Sequence, residues 1–299
     1  MARLVYLGTP EAAVEPLRTL VVAGHDIALV VSRPDKRRGR GSTLVPSPVK
    51  AAAIELGLPV TDKLPDALGA GAELGVVVAY GRIIPAEVLE RLPMVNLHFS
   101  QLPRWRGAAP VERAILAGDA TTGVCLMAVE VGLDTGAIYA EEDTPIDESE
   151  SVEDLRRRLV AIGSRLLERH LADGLAGLPA PHPQVGEPTY AEKIRPEELQ
   201  LHWERPAVEL RRVVHLGRAW TTFRGKRLRV LRAEPAGSDG AEPTAPEGAS
   251  PGALHGEVVT AGEGTHLRLI TVQPEGRQPM PAADWRRGVR PQAGERLGS

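Results

Sequence analysis

The chain has 299 residues, more than one average domain, and with 42% hydrophobic but only 3% aromatic residues its core must be built from Val, Leu, Ile and Ala. A single cysteine, Cys125, excludes an intramolecular disulfide, no apolar run reaches bilayer-spanning length, and the opening MARLVYLGTP reads as a strand and turn rather than a secretory leader; a soluble, cytoplasmic protein is expected. The net charge of −3 is unevenly spread, since residues 207–299 hold 14 Lys and Arg against 10 Asp and Glu.

In chain order, Arg3–Leu7 is an apolar strand, and Gly8-Thr9-Pro10 turns it into a helix that ends near Val22, with Gly24 as its stop signal. Asp26–Val31 is a second strand, residues 48–56 a helix and residues 58–60 a short strand. Residues 74–79 (LGVVVA) are apolar without alternation, as in a strand covered on both faces. A helix over 85–92 leads to a strand at 94–97, then a strand at 123–129 and an amphipathic helix over 152–172. Strands alternating with helices predict a Rossmann-like α/β fold with a doubly wound parallel sheet. Residues 141–154 are acidic and read as a solvated face.

The pattern breaks over 187–206, taken as a linker with one helical turn. After a helix at Ala207–His215, short strands follow at 226–233, 256–260 and 266–272. Residues 236–252 are too rich in Pro, Gly and small side chains to pack and read as a loop. Short strands in a small basic domain predict an OB-type β-barrel, with a fragment of a β-sandwich as the alternative. The expected organisation is a catalytic domain over 1–186, the linker, and a C-terminal domain over 207–299.

The first turn excludes common cofactor folds. LGTPEAA has one glycine where a dinucleotide-binding turn carries three. No P-loop, no serine-hydrolase signature and no ligand spacing for a metal occurs. The lead is instead VNLHF. Side chains two apart on a strand share a face, so Asn96 and His98 emerge together at a carboxyl end, where ligands bind in such sheets. Either residue alone reads as structural: an Asn that caps the next turn, a His satisfied in the core. Both are expected at a loop edge. Downstream, GLDTGAI places Asp134 near two glycines, where an isolated Asp makes an Asx-turn. Beside a histidine, however, a carboxylate orients the ring and stabilises its protonated form, and an Asn amide can donate to a developing oxyanion. The set suits acyl transfer to an amine. Cys125 lies mid-strand and reads as core rather than nucleophile.

NLHFSQLPRWRGAAP with GLDTG downstream resembles the 10-formyltetrahydrofolate-dependent formyltransferases. The likeness extends to GTP at the first turn, to RPD, GRG and PSPVK near residues 33–50, to VVVAYGRIIP around Tyr80 and to TYAEKI at 189–194, and so covers essentially the whole chain. It implies a catalytic trio of Asn96, His98 and Asp134. It also implies a folate pocket lined by Ser100, Gln101, Leu102 and Pro103, by Val78, Ala79, Tyr80, Gly81 and Ile83, and by the loop around Asp134. Phe99 stands where the family often has a small residue, and Gln101 replaces a leucine. The implied donor is 10-formyltetrahydrofolate, with no metal. The implied acceptor is the α-amine of initiator methionyl-tRNA, held by a monomeric protein through the basic loop of Arg37, Arg38 and Arg40. A second basic cluster with Lys226 and Arg227, between Arg224 and Arg229, alternates on a strand and is expected to place Lys226 with neighbours on one barrel face, for contacts to tRNA phosphates. The family often has lysines in that loop where this chain has Ser42 and Thr43. The alternatives are an N-formyltransferase acting on an amino-sugar nucleotide, which shares the trio but needs no basic surface, and a non-catalytic folate- or RNA-binding homologue.

Overall fold

The computed structural model describes residues 1–37, 44–237, 248–292 and 294–298. It divides into two units. The first comprises Met1–Val111, Ala120–Ile146 and Asp154–Glu192, and the second Glu112–Asp119, Asp147–Glu153 and Lys193–Ser299.

In the first unit, β1 (Arg3–Gly8) leads through a 3-10 turn at Glu11–Ala13 into α1 (Val14–Val22). Gly24 follows with φ +84°, and its N–H donates to the Val21 carbonyl, the left-handed stop that a side chain would resist. Next come β2 (Asp26–Val31), a two-residue ribbon of β3 (Lys36–Arg37) and β4 (Leu44–Val45), α2 (Pro48–Glu55) and β5 (Val60–Thr61). Ser47 caps α2 by accepting from the Lys50 N–H, with Pro48 in the first turn. β6 (Leu74–Val78) is buried at every residue. After the single-turn α3 (Ala86–Leu89), shorter than the helix read from the sequence, come β7 (Met94–His98), β8 (Arg106–Gly107), α4 (Pro110–Ala117), β9 (Thr121–Ala128), β10 (Ile138–Pro145), α5 (Val152–His170) and β11 (Tyr190–Ala191), although α4 from Glu112 on and the first two residues of α5 are assigned to the second unit.

The main sheet has the order β10-β9-β7-β6-β1-β2-β5. The pairs from β5 through β7 are parallel, whereas β9 and β10 add in antiparallel sense. The sheet is therefore mixed, not wholly parallel. The difference begins at β9 and continues in β10, which takes up part of the acidic run: residues 141–145 belong to this edge strand and are not merely a solvated face. Glu141, Glu142 and Asp143 place charge along that edge, which discourages pairing with another chain.

The stretch read as a linker begins inside this unit. β11 pairs in parallel with β8, and the Ala191 carbonyl accepts from the N–H groups of Ala108 and Ala109.

In the second unit, α6 (Ala207–His215) precedes β12 (Trp220–Phe223), β13 (Lys226–Pro235), β14 (Leu254–His255), β15 (Val258–Thr260), β16 (His266–Pro274), β17 (Met280–Pro281) and α7 (Ala282–Val289). All strand pairs are antiparallel, in the order β12-β13-β16-β15-β14 with β17 on β16. The core joins Leu210 and Val213 of α6 to Val230, Leu267 and Val272 of the sheet. It also takes three of the chain's few aromatic side chains. Phe223 and Trp285 meet edge to face at 5.2 Å, and the Trp203 indole N–H donates to Thr221. The β12–β13 hairpin closes through Arg224 and Gly225, both at positive φ, as a tight two-residue turn requires.

Candidate active site

β7 lies between β6 and β9, and its alternation sends Val95 and Leu97 into the core, each 1% exposed. Asn96 and His98 take the other parity. His98 is the last residue of this interior strand and only 5% exposed, so it is part of the packed sheet rather than a loop edge. Its Nε2 lies 3.0 Å from the Trp105 carbonyl oxygen. A carbonyl can only accept, so Nε2 carries a hydrogen in this arrangement. The opposite ring edge faces Asp134, with Nδ1 3.6 Å from Oδ2. That same oxygen accepts from the Gly107 N–H at 2.7 Å. Asn96 is half-buried, and its amide makes no hydrogen bond to any described residue.

Two strained backbone positions frame the pair. Asp134 has φ +49° and Trp105 φ +63°, conformations that cost a residue with a Cβ about 1–3 kcal/mol and persist only where the surroundings impose them. The glycines beside Asp134 act locally. A Cβ on Gly136 would stand 2.0 Å from the Ala128 carbonyl oxygen, so only glycine lets this loop lie against the end of β9. Trp105 is held by its N–H, which donates to the Thr189 hydroxyl at 2.9 Å.

The residues implied as a folate pocket separate into two sets. Ser100 is fully buried and donates to the Arg104 carbonyl, while Leu102 packs with Cys125, Met127 and Ile138. Pro103 is buried, joined to Leu102 by a cis peptide. Gln101 accepts from the Thr121 hydroxyl at 3.3 Å, which gives this departure a partner on β9. Phe99 is buried. Val78 ends β6 with its side chain in the core, and Tyr80 is buried with its hydroxyl unpartnered among the described residues. Ala79, Gly81 and Ile83 are the exposed members, the first two at φ +47° and +77°. Thr9 of the first turn donates to the Tyr80 carbonyl at 2.9 Å, so the GTP segment anchors this loop. Cys125 is fully buried, donates weakly to the Ser100 carbonyl, and has its thiol pushed up to about 12 by burial, which removes it as a nucleophile at neutral pH.

Of the basic loop, Arg37 ends β3, exposed and opposite Leu44. Arg38, Arg40, Ser42 and Thr43 lie outside the described residues. In the second unit, Lys226 and Arg227 are both exposed, but the strand alternation separates them. Arg227 shares the outer face with Arg229 and lies over the Trp220 ring at 4.3 Å. Lys226 has the parity of buried Leu228 and Val230 and is exposed because it opens the strand at a turn, so it does not share a face with Arg227. Sequence reasoning missed the Trp105 carbonyl and the Gly107 N–H, the groups that orient His98 and Asp134; both are main-chain atoms, which no residue type announces.

Comparison with known proteins gives the family and the fold of the chain. Residues 2–171 match the sequence model described as formyl transferase, and residues 193–290 that of the formyl transferase C-terminal domain. The chain is 42% identical to a methionyl-tRNA formyltransferase of Dinoroseobacter shibae, over 96% of this chain and 97% of that one. It is likewise 42% identical to a methionyl-tRNA formyltransferase of Acidothermus cellulolyticus, over 99% of both. Among solved structures, an N-formyltransferase of Helicobacter canadensis in complex with folinic acid and dTDP-3-aminofucose shares the fold with a TM-score of 0.69 at 16% identity, over 92% of this chain and all of that one. A methionyl-tRNA formyltransferase of Clostridium thermocellum does so with a TM-score of 0.56 at 17% identity, over 78% of this chain and 93% of that one.

Proposed function

The chain belongs to the formyl transferase family, and we infer that it is a methionyl-tRNA formyltransferase, moving a formyl group from 10-formyltetrahydrofolate to the α-amine of initiator methionyl-tRNA in the cytoplasm, as a monomer. The observation that carries the chemistry is the juxtaposition of the His98 ring, the Asp134 carboxylate and the Asn96 amide at the carboxyl end of β7. A formyl donor fits this set: the reacting group is a carbonyl, which needs a hydrogen-bond donor at its oxygen and a base for the attacking amine. The folate supplies an activated formyl carbon on N10: the amine forms the new C–N bond, the formyl C–N10 bond breaks, and the proton lost by the amine ends on N10 as tetrahydrofolate leaves.

Each residue then has a defined task. The Asn96 N–H donates to the formyl oxygen as charge grows there, an interaction that strengthens toward the transition state. Asp134 Oδ2 is committed to the Gly107 N–H and the His98 ring, whereas Oδ1 makes no hydrogen bond to a described residue. Oδ1 is therefore the atom to take the proton from the amine. The His98 ring, fixed through Nε2 by the Trp105 carbonyl, closes the Oδ2 side of the carboxylate and leaves Oδ1 for the amine. Ala79, Gly81 and Ile83 offer the exposed surface for the folate ring, with Ser100, Gln101, Leu102, Pro103, Val78 and Tyr80 shaping the wall behind it. No step calls for a metal. Arg37, Arg38, Arg40, Lys226 and Arg227 contact tRNA phosphates, which position the acceptor arm without reading its sequence.

The test is single-turnover formyl transfer from 10-formyltetrahydrofolate to charged initiator tRNA and, in parallel, to a nucleotide-linked amino sugar. Transfer to the tRNA alone is expected. Transfer to the sugar alone would establish the amino-sugar reading, and transfer to neither would leave a binding protein.

A further inference from the structure

Residues 181–188 run exposed along the surface except for Gln184, whose side chain turns inward. Its Nε2 donates to the Asp134 carbonyl at 2.8 Å and to the Gly136 carbonyl at 2.9 Å. Its Oε1 accepts from Arg106 Nε at 3.0 Å and from Arg106 Nη2 at 2.6 Å. Both carbonyls can only accept and a guanidinium can only donate, so the orientation of the amide is determined. All four of its hydrogen-bonding positions are used. The neighbours of Gln184 pull in the same direction. His182 exchanges two backbone hydrogen bonds with Ile138, and Thr189 and Ala191 bind the backbone of residues 103–109. Two loops distant in sequence, one carrying Asp134 and the other the Gly107 N–H that orients it, are thus tied through one side chain.

We propose that Gln184 is a positioning residue for formyl transfer: by bridging the Asp134–Gly136 backbone to Arg106 it holds the left-handed Asp134 so that its carboxylate meets both Gly107 and His98. The proposal rests on the catalytic reading of Asp134 given above. Asp134 at φ +49° is disfavoured on its own, and the Gly107 N–H is a single hydrogen bond. The two amide donors of Gln184 fall on the carbonyls that flank Thr135, the part of the loop that must stay in place for the strained residue to persist. Misplacement of a reacting group by about an ångström typically costs about a hundredfold in rate.

The experiment compares Gln184→Ala, Gln184→Glu, Asp134→Ala and the double variant Gln184→Ala/Asp134→Ala by single-turnover rates, KM for charged tRNA and for the formyl donor, and thermal melting. Gln184→Glu keeps an acceptor for Arg106 but loses the N–H donors toward the loop. Both Gln184 variants should lose about ten- to a hundredfold in rate, with each KM within about twofold and a cooperative melt retained. Adding Gln184→Ala to Asp134→Ala should cost less than about twofold more, because two residues that act as one unit are not additive. The Glu variant keeps the proposal testable if the Ala variant does not fold. Gln184 variants at wild-type rate beside an inactive Asp134→Ala overturn the proposal and leave the reading of the trio intact. Equal fractional losses in both backgrounds also overturn it, by showing a general structural effect. Full activity of Asp134→Ala overturns the underlying reading itself.

Discussion

Asp134 reaches His98 across 3.6 Å, carboxylate oxygen to ring nitrogen, and does so from a loop 36 residues further along the chain. The carboxylate does not depend on the ring for its place, since the Gly107 N–H holds the same oxygen at 2.7 Å. Ring and carboxylate are separately anchored, and the pair is preorganised before any substrate arrives.

This independence separates the effects of two substitutions. His98→Ala should lower the single-turnover rate by about a hundred- to ten-thousandfold. It should also destabilise the fold by about 0.5–1.5 kcal/mol, because the part-buried hydrogen bond to the Trp105 carbonyl is lost. Asn96→Ala should lower the rate by about a hundred- to a thousandfold and leave the melting temperature nearly unchanged, since that amide bonds to no described residue. Melting curves beside rate measurements check the contrast; a large shift for Asn96→Ala would mean that its role is structural.

The DTG turn offers a steric test. Gly136→Ala places a methyl group 2.0 Å from a backbone oxygen of β9, whereas at Gly132 the nearest atoms belong to the Thr135 side chain, which can rotate. Gly136→Ala should therefore depress both stability and rate, and Gly132→Ala should keep the fold with a smaller loss. Expression and thermal melting of the two variants decide it, and equal behaviour would contradict the packing described for the loop.

Cys125 should resist alkylation in the folded protein at neutral pH, with burial raising its thiol to about 12 and no exposed surface on the residue. Quantitative labelling by iodoacetamide should require denaturant. Rapid labelling under native conditions would place the residue outside the core.

An acid limb of stability is expected in the second unit. The Arg113 guanidinium, at 2.6 Å, holds the Glu198 carboxyl down to about 2. A carboxyl depressed on folding binds fewer protons when folded, so its contribution is complete above the ordinary carboxylate value of about 4.3. That contribution drains as the pH falls toward 2. Glu198→Gln should flatten the loss of stability in this window, measured as the denaturation midpoint against pH. An unaltered acid limb would show that the pair contributes nothing in solution.

For tRNA binding, replacing Arg37, Arg38 and Arg40 together with Ala should lower kcat/KM for charged tRNA and leave binding of the formyl donor unchanged. The log–log salt slope should fall by about 0.7–0.9 for every phosphate no longer neutralised. Arg227→Ala should act in the same direction and also release Trp220, which its guanidinium covers. A salt series on kcat/KM reads both, and an unchanged slope in the triple variant would assign the loop to bare surface.

Much of this protein is legible in its sequence because side-chain periodicity decides which face of an element is buried. The unbroken apolar run of β6, the Asn-x-His pair on one face of β7, the glycine after α1 and the helix at Ala207–His215 all follow from local pattern. The resemblance carried by NLHFSQLPRWRGAAP and GLDTG added the chemistry. Elements of two or three residues, such as β8, β11, β14 and β17, are too short to show any period. The antiparallel sense of β9 and β10 is a property of pairing, and neither strand contains a signal for it. What only the tertiary structure decided is the orientation of the His98–Asp134 pair. The Trp105 carbonyl, the Gly107 N–H and the Asp134 and Gly136 carbonyls bound by Gln184 are backbone groups. Backbone groups are alike along the chain, so which of them meets His98, Asp134 or Gln184 is written in no residue type and emerges only when distant segments pack.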